Sequence, residues 1–283
     1  MTGVDTLRLL FEVDRFPDKH LFNVGGGWQG EAMPALGLLA IEGNPDDGAL
    51  WSPNEVLDRG QEVREVVGAT FGLRSDRGVS RVDVTTSRRM EPARGRALLA
   101  GLAALDFPRL ERTARGAPVH SVWWTGERSR AIRGRAYCES FKVAGRVPFE
   151  RVRLETQERT RAGGRPPLDV VADPEYQRQR FVRRFEPMRK AVDGVKAASF
   201  PVIAQAIADE VKYGYRTPRE AERLAGALVL LGGGAAEAYA RSTRTRRRAE
   251  LRRAGYVIAD DFLEPVEVDL GDELEAALGE FGA

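Results

Sequence analysis

The chain is poor in the residues that build covalent or metal-bound frameworks, with one cysteine, Cys138, and two histidines, His20 and His120, among 283 residues. A single thiol excludes an internal disulfide and any multi-cysteine zinc or iron–sulfur centre. A metal, if present, is therefore expected mainly on carboxylates. No apolar run approaches the roughly twenty residues that a membrane span needs. The first residues are polar and acidic where a secretory signal would be basic and then apolar. The expectation is a cytoplasmic protein with no membrane partner. Lysine is scarce too: five, against 39 arginines. That balance suits bidentate phosphate contacts and equally suits a GC-rich genome.

What is present is ordinary in amount and uneven in distribution. A hydrophobic fraction of 42% and a charged fraction of 30% predict a folded chain with one large or two ordinary cores. The net charge of +2 conceals two basic stretches. One, from Arg128 to Arg165, includes Arg133, Arg135, Arg151 and Arg153. The other, Arg241 to Arg253, crowds Arg244, Arg246, Arg247 and Arg248 into one short segment. The tail from Asp260 to Ala283 holds acids and no base. These are candidate phosphate-binding surfaces beside an acidic tail.

Leu7 to Val13 and Leu36 to Glu42 read as strands. Between them Gly25-Gly26-Gly27-Trp28-Gln29-Gly30 matches the dinucleotide fingerprint in form. No apolar-periodic helix follows it, so it is expected to be a glycine turn. Ser52-Pro53-Asn54-Glu55 is a capping box with proline at the first helical position and predicts a helix to about Val67. A strand over Gly78 to Thr86 and a helix from Ala93 to Leu105 come next, then strands at Val119 to Thr125, Arg133 to Val143 and Phe149 to Gln157. The pattern predicts an α+β fold, an antiparallel sheet with helices on one face, over a first domain of residues 1–165. Gly163 to Pro167 is the expected linker. Residues 169–283 are expected to form a mainly helical second domain, with helices at Tyr176 to Ala198, Val202 to Val211 and from the capping box Thr217-Pro218-Arg219-Glu220. A short helix from Ala235 and a basic one from Thr243 to Ala254, capped by Ser242 and ended by Gly255, are expected to make a helix-turn-helix. Its Arg244, Arg247 and Arg248 would face DNA; the alternative is a solvated basic helix paired with the acidic tail.

Strand alternation carries the chemistry. Arg81 and Asp83 share a face opposite Val82 and Val84, Arg153 and Glu155 oppose Val152 and Leu154, and Arg135, Tyr137 and Glu139 oppose Ala136 and Cys138. An open sheet face could then carry carboxylates, a tyrosine and arginines, the groups needed for in-line phosphodiester transfer. A merely solvated face fits the same alternation.

The runs Ser80-Arg81-Val82-Asp83-Val84-Thr85, His120 to Arg130, Arg135-Ala136-Tyr137 and Val152-Arg153-Leu154-Glu155 resemble, in order and character, the motifs of the filamentous-phage gene II replication endonucleases. Ser52 to Leu57 and Ser242 to Val257 are similar to two further stretches of that family. The resemblance touches most of residues 1–160 and a patch near the C-terminus. It implies a rolling-circle replication initiator, a metal-dependent nicking-closing endonuclease and strand transferase of a phage or plasmid in a bacterial host. Tyr137 would be the nicking nucleophile and Asp83 and Glu155 the acidic metal positions, with Mg²⁺ or Mn²⁺ as cofactor. The origin DNA would be the partner, with host helicase and polymerase called on later. Glu139 or the metal would lower the cost of ionising the phenol, whose ordinary pKa is about 10. His120 is a further candidate ligand or a structural residue. The chain departs from the family after Tyr137, and it has no His-hydrophobe-His pair. A non-catalytic DNA-binding regulator on the same scaffold is the alternative function.

Overall fold

The structure, a computed structural model, describes residues 1–45, 49–116, 119–126, 131–138, 151–160, 164–232, 240–258 and 266–281. Its centre is a nine-stranded sheet in the order β2-β3-β4-β1-β5-β9-β8-β7-β6, antiparallel at every described pairing. The strands are β1 (Thr2–Val13), β2 (Leu21–Gly25), β3 (Trp28–Met33), β4 (Leu38–Gly43), β5 (Leu73–Arg89), β6 (Leu110–Arg115), β7 (Ser121–Gly126), β8 (Ile132–Cys138) and β9 (Arg151–Arg159). The glycine run turns β2 into β3, with Gly25, Gly26 and Gly27 all at positive φ (98°, 55° and 81°), so it is the turn expected and not a nucleotide loop.

Period-two alternation decides which face is apolar. Val82 and Val84, Val152 and Leu154, Ala136 and Cys138, and Val122 and Trp124 join one buried core. Onto that face pack α1 (Pro53–Phe71), α2 (Pro92–Ala104), α3 (Leu168–Ala172), α4 (Pro174–Ala191) and α8 (Leu270–Gly279), through residues such as Val63, Leu99, Val171, Phe181 and Leu274. The α1 capping box forms as its sequence requires: Glu55 N–H donates to Ser52 Oγ at 3.4 Å, and Ser52 N–H to Glu55 Oε2 at 2.8 Å. The expected linker is tied down, since Val79 N–H donates to the Pro166 carbonyl at 2.9 Å.

A second cluster joins α5 (Phe200–Lys212), α6 (Pro218–Gly232) and α7 (Arg241–Arg253) through Ile203, Ile207, Leu224, Leu228, Leu251 and Tyr256. A small sheet, β11 (Tyr256–Ile258), β10 (Lys196–Ala198) and β12 (Glu267–Asp269), lies beside it. The long helix expected over Tyr176 to Ala198 therefore stops at Ala191. Gly194, at φ 66°, turns the chain, and Lys196 to Ala198 pair with β11 and β12 instead. In α7 the helix begins at Arg241, and no side-chain cap comes from Ser242; the other end matches expectation, with Gly255 at φ 86° just beyond. The short helix expected from Ala235 falls mostly on residues outside those described. No described helix is long and apolar enough to cross a membrane.

Candidate functional site

The polar residues of β5, β8 and β9 meet on the sheet face opposite the helices, because the register puts Asp83 across from Gln157, Arg135 across from Glu155 and Tyr137 across from Arg153. Tyr137 donates its phenol hydrogen to Glu155 Oε2 at 3.1 Å. Arg81 holds Asp83 with two nitrogens, Nε at 3.0 Å and one terminal nitrogen, while its other terminal nitrogen reaches Glu42 at 2.9 Å. Gln157 donates to Asp83 Oδ2 at 3.2 Å. Arg153 Nη1 reaches Asp5 Oδ1 at 2.7 Å. The Arg135 guanidinium lies 3.9 Å from the Tyr137 ring centroid and 4.3 Å from that of Trp123. It makes no ion pair with a described residue.

The face is neither open nor solvated, which corrects both sequence-based expectations. Asp83 is 0% exposed, Glu155 and Arg153 2%, and Tyr137 3%. Asp83 and Arg153 persist there because Arg81 and Asp5 meet them; an unpaired buried charge would cost several kcal/mol. Burial raises the Asp83 carboxyl above its ordinary pKa. Burial, together with the negative charges of Asp83 and Asp5, pushes Glu155 up to about 8. The Tyr137 phenol is held well above its ordinary value by burial and then by Glu155 and Asp5. Glu155 thus keeps its proton at neutral pH and, once ionised, is a far stronger base than an ordinary carboxylate.

The structure therefore gathers Arg81, Asp83, Arg135, Tyr137, Arg153 and Glu155 and gives them partners that sequence reasoning did not assign. Glu155 is the partner of the phenol. Glu139 lies outside the described residues. His120 sits one residue before β7, and its carbonyl accepts from Cys138 N–H at 2.9 Å. Burial and the charges of Arg135 and Arg115 lower its imidazole pKa. Among the described residues no three His, Cys, Asp or Glu side chains gather as a metal site would require. Asp83 is engaged by Arg81 and Glu155 by Tyr137, so these acids as arranged do not fit a divalent ion.

Asp5 was missed because it lies before the readable strand pattern, at a register shift between Val4 and Thr6. Gln157 shares the parity of Arg153 and Glu155 and could have been read from it. On α7, Arg248 is exposed and Arg244 half-buried, and neither makes an ion pair with a described residue, whereas Arg247 reaches Glu250 at 2.7 Å. Four of the described acids of the tail pair elsewhere: Glu273 with Arg88 and Arg94, Glu280 with Arg88 and the N-terminus, Glu275 with Arg189, and Glu267 with Lys196.

These groups define an α+β protein with a buried tyrosine–carboxylate pair in an arginine-rich sheet face. Neither the protein-family models, nor the curated proteins, nor the solved structures contain a match to the chain.

Proposed function

We propose that the protein is a rolling-circle replication initiator, a site-specific DNA nicking and strand-transfer enzyme that uses Tyr137 as its nucleophile. The observation that carries the reading is the Tyr137–Glu155 hydrogen bond at 3.1 Å, with the Arg135 guanidinium, which pairs with no described acid, against the same ring. In the step this arrangement supports, ionised Glu155 takes the phenol proton and the phenolate oxygen bonds the phosphorus. The bond from phosphorus to the 3′ oxygen breaks, and that oxygen takes back a proton to become a 3′-hydroxyl. The phosphotyrosine link keeps the energy of the broken bond, so the strand can later be rejoined. Arg135 offsets the charge on the phosphate. No step is routed through a metal, because the described acids are committed to Arg81 and Tyr137. Mg²⁺ and Mn²⁺ therefore enter as arms of the test.

A second reading, a non-catalytic DNA-binding regulator on the same scaffold, is favoured by the 3% exposure of Tyr137. The nicking reading requires the DNA phosphate to draw Arg135 off the ring. The test is nicking of supercoiled DNA carrying the element's own origin, with Mg²⁺, with Mn²⁺ or with chelator, using the intact protein and Tyr137→Phe. A covalent protein–DNA adduct that needs Tyr137 is expected, with nicking falling by about a thousandfold or more in the variant. Tight binding without nicking in every arm would replace the enzyme by the regulator.

A further inference from the structure

Thr156 and Glu158 lie on β9 with the opposite parity to Glu155 and Gln157, so they face the helices, away from Tyr137. There they line an open cavity of about 480 Å³ together with Arg109, Gly126, Ile132, Arg180, Arg183 and Arg184. Four arginines thus line the space against one carboxylate among the lining residues. Glu158 Oε1 is taken by Arg180 at 3.1 Å. Arg184 donates to the Ile132 carbonyl at 2.8 Å, and Gly134 makes room for its stem, since a Cβ there would lie 3.1 Å from Arg184 Cδ. Arg183 and Arg109 are exposed and make no ion pair with a described residue.

Two further observations mark the cavity as a binding site. Thr156 is 1% exposed and Glu158 8%, yet Thr156 Oγ1 and Glu158 Oε2 have no hydrogen-bond partner among the described residues. Buried polar groups are ordinarily satisfied, and exceptions in a native fold call for a partner. Arg109 is the one non-glycine residue at positive φ among the described residues, at 62°. Such strain persists where the surrounding structure imposes it, commonly at binding sites.

We propose that this cavity is a receptor for a terminal phosphate, a phosphate monoester at the end of a nucleic-acid strand or on a free nucleotide. Guanidiniums are matched to phosphate oxygens. The Glu158 oxygen that no described residue meets selects within the class. A monoester, whose second proton titrates near pH 6, can supply a hydrogen there, and a backbone diester has none to supply. The volume lies in the range of ordinary small-ligand pockets, about 300–1,000 Å³, which admits a nucleotide unit. The site shares no residue with the Tyr137 face and stands independently of the nicking reading.

The test compares two short DNA strands of one sequence, one ending in a 5′-phosphate and the other in a 5′-hydroxyl, by fluorescence anisotropy with the whole protein. It is repeated on Tyr137→Phe, so that loss of nicking and loss of end recognition are separate results. The phosphorylated strand is expected to bind about tenfold tighter or more, and inorganic phosphate to erase the difference. Arg183→Ala and Arg109→Gly should each remove the preference. Arg109→Gly should do so with an unchanged or higher melting temperature, since glycine relieves the positive φ. Competition by a free 5′-mononucleotide as strong as by the phosphorylated strand would assign the cavity to nucleotides, and competition by the strand alone to strand ends. Equal affinity for the two strands, or a preference that survives both substitutions, would overturn the proposal.

Discussion

Arginine is used in two opposite ways in this molecule. On the sheet face Arg81 and Arg153 are locked to Asp83 and Asp5 and are largely removed from water. On α7 Arg244 and Arg248 project from a helix that is anchored by Leu251 and by the contacts of Arg252 with the carbonyls of Asp106 and Ala191 at 3.3 and 3.4 Å. The first set has its charge cancelled inside the fold, and the second meets no anion among the described residues. Local density of positive charge is therefore a poor guide to a phosphate site. What separates the regions is whether the fold supplies the anion.

The comparison breaks most sharply at Arg81. Arg81→Ala would leave Asp83 buried without its counter-charge, and a loss of about 3–5 kcal/mol in denaturant unfolding is expected. Adding Asp83→Asn should restore much of it, because the buried charge is then gone. A single-variant loss below about 1 kcal/mol would mean that the face is wetter than its geometry. On α7 the effect should move from stability to binding. Arg244, Arg247 and Arg248 changed singly to Ala should each alter stability by no more than about 0.5 kcal/mol, and the three are then combined for binding. DNA affinity should fall about a hundredfold, and the slope of log affinity against log salt should shrink by about one per arginine. An unchanged slope would remove α7 from the DNA interface.

The polar side of this comparison was readable in advance where it depended on local pattern. Alternation placed Arg81, Asp83, Arg135, Tyr137, Arg153 and Glu155 on one face, because side-chain parity is a property of each strand alone. Their pairing was not readable. Which acid meets the phenol depends on register between β8 and β9, and burial depends on a sheet closed by residues far apart in the chain. Asp5 is an extreme case, joined to Arg153 across a strand irregularity that no local rule announces. The acidic tail hid α8 in a different way. Its charge drew attention, while Leu270, Leu274 and Ala277, spaced for one helix face, carry its packing into the core.

The sheet face should also reveal itself through pH. Glu155 is raised from an ordinary carboxyl value to about 8, so between those limits the folded state holds a proton that the unfolded chain has released. Its contribution is fully present below the unfolded pKa and is lost as pH rises through the folded one. Stability should fall by about 2 kcal/mol between pH 6 and 8. Glu155→Gln should flatten that part of the profile, since the amide cannot ionise. The same ionisation prepares the base, so nicking should accelerate over the interval in which the fold loosens. A wild-type profile as flat as that of the variant would mean that Glu155 titrates as an ordinary carboxylate.

The smallest effect is expected where no buried charge is involved. Thr217 Oγ1 accepts from Glu220 N–H at 3.3 Å, and Glu220 Oε2 accepts from Thr217 N–H at 3.1 Å, which closes the first turn of α6. Thr217→Ala leaves one backbone donor to water at an exposed helix start, a cost of about 1 kcal/mol. Because α6 packs on α7 in the second cluster, the same change tests whether that cluster unfolds together with the sheet. If the molecule unfolds as one unit, the loss appears equally in far-ultraviolet dichroism and in tryptophan fluorescence, since Trp28, Trp51 and Trp124 are buried in the sheet core and Trp123 lies on β7. If only α5 to α7 melt early, dichroism shifts and the tryptophan emission does not. The α7 arginines would then ride on a unit that can open while those of the sheet face stay locked.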